Sequence, residues 1–242
     1  MPEKRAPLFL IAGGPGQVRR RGADPLLQTV IRGSGKTRPT IAYVGAASGD
    51  NPAFRLLIAQ MLLKAGAGAV VPAPMCGRRV NVEKTQRVLE DADLVFISGG
   101  DVEEGMKVVE QRGMAPLLKS LHAAGKPFFG VSAGSIMLAE RWVRWSDPHD
   151  DQSAELFPCL GFAPVLCDTH GESDEWSELR AMLRLCRTGT TGYGIVSGSA
   201  LAVLADGTVS ALGGEVHVFR KKKAGVFQEE SLREEKRWSI DD

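Results

Sequence analysis

The sequence predicts an α/β fold: a mostly parallel sheet with helices on both faces and antiparallel strands near the C-terminus. Three observations carry this expectation. Short apolar runs suited to buried strands alternate with helix-length segments through the front half of the chain. Several of these runs end in glycine or serine, which would gather small residues at one edge of the sheet. In the back third, two apolar runs flank Asp206-Gly207, a hairpin signal. A length of 242 residues suits one large domain over 1–242, with 220–242 as a charged tail.

In chain order, residues 7–12 read as a buried strand running into Gly13-Gly14, and 40–44 as a second strand. Asn51-Pro52 opens a helix, because Asn caps and Pro suits the first helical position. Its apolar stripe is Phe54, Leu57, Ile58, Met61 and Leu62, and Gly66 closes it. Residues 69–71 form a short strand, Asn81 caps the next helix, and 94–97 form a strand ending at Ser98-Gly99-Gly100. Asp101 caps the helix that follows, and the strand 127–131 stops at Ser132. Residues 200–204 and 208–212 are the hairpin strands, and 215–219 is a further alternating strand that would extend the sheet.

Composition narrows the function. Thirty Lys and Arg against 29 Asp and Glu leave a net charge of +1, unlike the basic footprint of a nucleic-acid binder. The one basic cluster, Arg220-Lys221-Lys222-Lys223, reads as a solvated turn. The apolar stretch at residues 8–12 is too short for a signal peptide, and no run is long enough to span a membrane. The four cysteines lack metal-ligand spacing and read as free thiols, so a cytoplasmic location and no metal or organic cofactor are expected.

The chemistry centres on Gly130-Val131-Ser132-Ala133-Gly134, which matches the G-x-S-x-G elbow. That motif needs a strand, a sharp turn and a helix, with small neighbours around an exposed serine. The alternative is a tight glycine turn with a capping serine. An oxyanion hole needs two backbone N–H groups aimed at one point. Ala133 supplies one and Gly100, on a neighbouring strand end, the other. Of the four histidines, His122 reads as helical and solvent-facing, His217 as mid-strand, and His149 as part of an acidic loop. His170 follows the apolar run Val165-Leu166-Cys167, at a strand end where catalytic groups gather, and is the candidate base.

The ordered set Phe96-Ile97-Ser98-Gly99-Gly100-Asp101, the serine elbow, and Asp168-Thr169-His170 resembles the serine peptidases of the aspartyl dipeptidase E and cyanophycinase family. Gly192-Tyr193-Gly194-Ile195 and the following Ala200-Leu201-Ala202-Val203 add to the likeness. The resemblance implies a flavodoxin-like, class I glutamine amidotransferase-like fold and a Ser-His-acid triad that hydrolyses short peptides. It implies Ser132 as nucleophile, His170 as base and Asp147, fifteen residues after the serine, as the orienting acid. Asp150, Asp151 and Asp168 also lie between Ser132 and His170. The stretch after His170, 171–176, is acidic where cyanophycinases carry Arg and Phe.

For the substrate, Arg180 and Arg184 are candidate partners of a carboxylate, while Glu172 and its acidic neighbours suit an amine or basic side chain. A homodimer is compatible with the fold. Three rivals stand beside this reading. Gly33-Ser34-Gly35-Lys36-Thr37 lacks the first glycine of a phosphate loop and is followed by Pro39 and a strand. A general α/β-hydrolase esterase would need Asp206 and His217, which read as turn and mid-strand residues. The third is an inactive binding or oligomerisation module of the same fold.

Overall fold

The computed structural model describes residues 7–14, 22–147 and 149–234. The strands are β1 (Leu8–Ile11), β2 (Thr40–Val44), β3 (Ala69–Pro72), β4 (Leu94–Ile97), β5 (Phe128–Val131), β6 (Arg141–Trp145), β7 (Ala154–Pro158), β8 (Leu166–Thr169), β9 (Thr191–Ile195), β10 (Ala200–Val203), β11 (Val209–Leu212), β12 (Val216–Lys222) and β13 (Gly225–Gln228). The helices are α1 (Pro25–Arg32), α2 (Pro52–Lys64), α3 (Val82–Asp91), α4 (Val102–Gln111), α5 (Ala115–Ala123), α6 (Ala133–Leu138) and α7 (Ser177–Arg184).

The central sheet runs β11-β10-β1-β5-β4-β2-β3. Strands β1, β5, β4, β2 and β3 are parallel to their neighbours, and the β10–β11 hairpin adds antiparallel to β1. Both faces are covered, which is why the strands read as unbroken apolar runs. Leu8, Leu10, Ala42, Val44, Val95 and Ile97 face one core. Their alternates Phe9, Ile11, Ile41, Tyr43, Leu94 and Phe96 face the other. Each fully buried Leu, Ile or Phe contributes about 1.5–3 kcal/mol, and the core is wide enough to hold the sheet edge rigid.

Helix α1 is an element the sequence reading missed, although its signal matches that of α2. The Asp24 carboxylate caps the N–H groups of Leu26 and Leu27, and Pro25 sits in the first turn. This helix also disposes of the phosphate-loop rival, because Gly33 lies at its C-terminal end, not before an N-terminus. In α2, Asn51 caps Phe54 as expected, but Leu57 is 37% exposed and does not join the inward stripe. Between β4 and β5 there are two helices, α4 and α5, because Gly113 takes a left-handed turn (φ 65°) between them.

The back of the chain departs further from expectation. β12 does not extend the central sheet. It belongs to a second sheet, β13-β12-β9-β8, in which β8 and β9 are parallel. Residues 220–222 are strand, paired with 225–227, so the basic cluster alternates along β12, and Gly225 (φ 148°) follows its turn. The expected charged tail is therefore corrected: 220–234 carries sheet structure and bridges to Val216 and Ala211, and 235–242 lies outside the described residues. His122 is not solvent-facing; it stacks on Phe162 with ring centroids 4.5 Å apart. Among the described residues, no helix is long and apolar enough to cross a membrane.

Candidate active site

Ser132 stands between β5 and α6 with φ 55° and ψ −127°, a conformation an L-residue adopts only under constraint. The constraint is visible in its neighbours. The Ser132 N–H donates to the Ile11 carbonyl at 2.8 Å, and the Ser135 N–H donates to the Ser132 carbonyl at 2.8 Å. The Ser135 hydroxyl donates to Ile11 as well, tying the first turn of α6 to β1. The glycines of the motif are sterically required. A Cβ at Gly130 would lie 2.4 Å from the Gly134 carbonyl oxygen, and one at Gly134 would lie 2.1 Å from that of Ile97.

His170 follows β8 and donates its backbone N–H to Ile195 at 3.0 Å, with φ 49° turning the chain out of the strand. Its Nε2 lies 2.8 Å from Ser132 Oγ. The two residues thus meet from different sheets, at the C-terminal end of a strand in each. A short hydrogen bond of this kind lets an imidazole accept the hydroxyl proton as the oxygen becomes nucleophilic.

Gly100 and Ala133 line one cavity with this pair. Among the described residues the N–H groups of both are without an acceptor. Gly100 has φ 145°, and a Cβ there would lie 2.0 Å from the Ala47 carbonyl oxygen, so only glycine fits the turn. Two unpaired N–H groups beside a serine are what an oxyanion requires.

The other expected residues are placed differently. Asp147 is exposed, and its carboxylate accepts the N–H of His149 within its own loop. It does not reach His170; spacing along the chain does not determine where a loop carboxylate turns. Arg180 donates to the Glu175 and Val226 carbonyls and covers the Phe219 ring at 4.8 Å, a structural clamp rather than a substrate contact. Arg184 is exposed and lines neither cavity beside Ser132. Glu172 accepts the N–H of Ser197 at 2.5 Å, holding the loop after β9. Asp206 turns the β10–β11 hairpin, accepting from Thr208, and the His217 ring packs 5.6 Å from that of Trp176.

Glu178 is an acidic residue of this cavity that the sequence reading did not single out. It lines the cavity that holds His170, and burial raises its pKa, with Asp174 adding to the shift and His170 opposing it. Helical geometry explains the miss. At about 100° per residue, Arg180 and Arg184 cannot share the face of α7 that carries Glu178. Arg144 also lines the cavity, paired with Glu155 at 2.7 Å and Glu103 at 3.3 Å.

Asp168, two residues before His170, is 4% exposed, and its carboxylate accepts the Thr169 N–H at 2.6 Å. Burial, reinforced by Glu178 and Asp174, pushes its pKa up to about 7. A carboxyl with a raised native pKa contributes stability below its unfolded pKa and loses it as pH rises toward 7. Asp168→Asn is therefore expected to stabilise the protein at pH 8 by on the order of 1–3 kcal/mol relative to wild type, with little gain at pH 4. Urea unfolding at the two pH values measures this; an equal change at both would assign the effect to packing.

The four cysteines are unpaired, and burial pushes the Cys159 thiol up to about 12, away from nucleophilic use. Among the described residues no cluster of three His, Cys, Asp or Glu side chains is disposed to hold a metal ion.

The model of peptidase family S51 matches residues 8–211. The structure resembles that of a peptidase from an acI-B1 Actinobacterium, with a TM-score of 0.69 and 17% identity, over 95% of this chain and 97% of that one. It also resembles a putative peptidase E protein from Listeria monocytogenes EGD-e, with a TM-score of 0.58 and 12% identity, over 86% and 98%. These two likenesses are of fold. Over 74 residues the chain is 36% identical to the pyridoxal 5'-phosphate synthase subunit PdxT of Geobacillus stearothermophilus. That match takes in 31% of this chain and spans 38% of the curated relative's length.

Proposed function

The chain belongs to peptidase family S51 and is a serine-type peptidase, and from that premise we propose that it cleaves short peptides with Ser132 as nucleophile and His170 as general base. The observation that carries this is the 2.8 Å contact between Ser132 Oγ and His170 Nε2. His170 takes the hydroxyl proton as Ser132 Oγ bonds to the scissile carbonyl carbon. The N–H groups of Gly100 and Ala133 receive the oxyanion. As the tetrahedral adduct collapses, the carbon–nitrogen bond breaks and the imidazolium gives its proton to the departing amine. Water, deprotonated by His170, then adds to the acyl carbon, and the imidazolium returns the proton to Ser132 Oγ as the ester bond breaks and the acid product leaves.

The acid that favours the imidazolium is Glu178 in this reading, as a positioning residue, with Asp147 left to its loop. Its support is the shared cavity and the electrostatic coupling to His170.

One experiment tests the scheme. A fluorophosphonate probe is expected to label the wild type at Ser132, read by peptide mapping, and to label Asp147→Asn at a rate within about threefold of wild type. Glu178→Gln is expected to label roughly tenfold more slowly at pH 6. Absence of label on Ser132 would overturn the nucleophile. Collapse of Asp147→Asn with Glu178→Gln unaffected would return the acid to the loop.

A further inference from the structure

Ser132 and His170 are flanked by two cavities of opposite character. The one that holds Glu178, of about 580 Å³, is edged by Asp101, Glu103 and Arg144 and presents charge. The other, of about 500 Å³, also reaches the pair, and Gly100 lines both. Its floor is Leu27, Ile58, Leu62 and Phe96, four buried members of one core cluster. Its walls are Phe54, Met61 and Val131, which are only partly buried against that cluster. Gly13, Gly14 and Ser197 form the rim. Among the described residues, His170 is the one titratable side chain that lines it.

The placement gives this cavity a meaning. A carbonyl carbon bonded to Ser132 Oγ, with its oxygen on Gly100 and Ala133, must direct its substituents away from those donors. The substituents therefore divide between the charged cavity and the apolar one. A carboxylate or guanidinium entering the apolar side would lose its water and find no charged partner but His170 among the described residues. A leucine, methionine or phenylalanine side chain would bury its surface against Phe54, Ile58 and Met61, within a volume typical of small-molecule sites. The glycines of the rim keep the entrance open beside the nucleophile; a Cβ at Gly14 would lie 3.3 Å from the Ser197 Cβ.

We infer that the cavity lined by Phe54, Ile58 and Met61 is the specificity pocket for a bulky apolar side chain on a residue adjoining the scissile bond. This rests on Ser132 being the nucleophile and names the substrate class that reading leaves open.

The test is a matrix of dipeptides with Leu, Met, Phe, Ala, Asp and Arg at either position, read as kcat/KM. At one position the bulky apolar residues are expected to exceed Ala, Asp and Arg by about 10–200-fold, the range a hydrophobic pocket can discriminate. Met61→Lys, whose side chain is partly buried at the wall, should reduce the Leu-to-Ala ratio at that position to within about threefold. Phe54→Ala, a milder change, should shift the preference toward larger side chains. Preference for Asp or Arg at both positions, or an apolar preference untouched by both variants, overturns the assignment.

Alkyl fluorophosphonates separate this proposal from the one it rests on. Labelling of Ser132 with no dipeptide cleaved would sink the peptide reading alone. The pocket would then be read from the octyl-to-methyl labelling ratio, expected at about tenfold or more in wild type and near one in Met61→Lys. Equal octyl and methyl rates in wild type would overturn the pocket while leaving Ser132 in its role. No labelling by either would overturn both.

Discussion

Replacing Ser132 with alanine is expected to lower kcat/KM by at least about 10³-fold while the protein stays folded. The hydroxyl has one polar partner, His170 Nε2, so its removal breaks no buried network. The contacts that hold the turn are backbone ones, to Ile11 and from Ser135, and alanine keeps both. Alanine meets the same positive φ as serine, so the strain at the elbow is unchanged. Residual hydrolysis would come from the unpaired N–H groups of Gly100 and Ala133, which still stabilise an oxyanion formed by water attack. The measurement is steady-state hydrolysis of the best dipeptide, beside a thermal melt of both proteins. Turnover near wild type in a purified sample would reject Ser132 as nucleophile. A collapsed melt would mean the hydroxyl supports the fold in a way the contacts do not account for.

Gly134→Ala is expected to be among the most damaging small substitutions near the site. The added Cβ would sit 2.1 Å from the Ile97 carbonyl oxygen, 2.6 Å from its carbon and 2.8 Å from the Ser98 oxygen. All three atoms are backbone at or just past the end of β4, in a sheet buried on both faces, and none can rotate away. Relief requires moving α6 away from β4, and α6 begins one residue after Ser132. Overpacking of this kind costs roughly 3 kcal/mol or more. For a chain of this size that lowers the melting temperature by about 6–12 °C. Moving Ser132 by even 1 Å breaks the 2.8 Å contact to His170, so activity should fall by about 10²-fold in whatever protein remains folded. A variant with a melt within about 2 °C of wild type and full activity would show that the turn can relax. Gly22→Ala is the matched control, since its added Cβ meets nothing within 4 Å, its φ is not in the left-handed region, and it lies in the loop before α1.

The serine elbow was legible because its signal is local. A strand, Gly130, Ser132 and Gly134 lie within a few residues; Gly130 answers to a clash with the Gly134 carbonyl that the short spacing itself creates, whereas Gly134 answers to Ile97 at the end of β4. Asn51-Pro52 was legible for the same reason, and Asp24-Pro25 carried an equal signal that went unread. His170 was found from its place at the end of an apolar run, although the sheet it ends is not the one that carries Ser132. The assignment of β12 failed because alternation along a strand gives its faces but not its partner.

From the sequence alone came the layered α/β architecture and the choice of Ser132 and His170 as candidates, all written in patterns a few residues long. The tertiary structure alone decided the second sheet, the turning of Asp147 into its own loop and of Arg180 onto Phe219, and the presence of Glu178 beside His170. It also decided the apolar cavity, whose walls come from α1, α2, β4 and β5. The physical reason is that a backbone turn is set by the sterics of adjacent residues, whereas the direction of a side chain depends on the packing of elements distant in the chain.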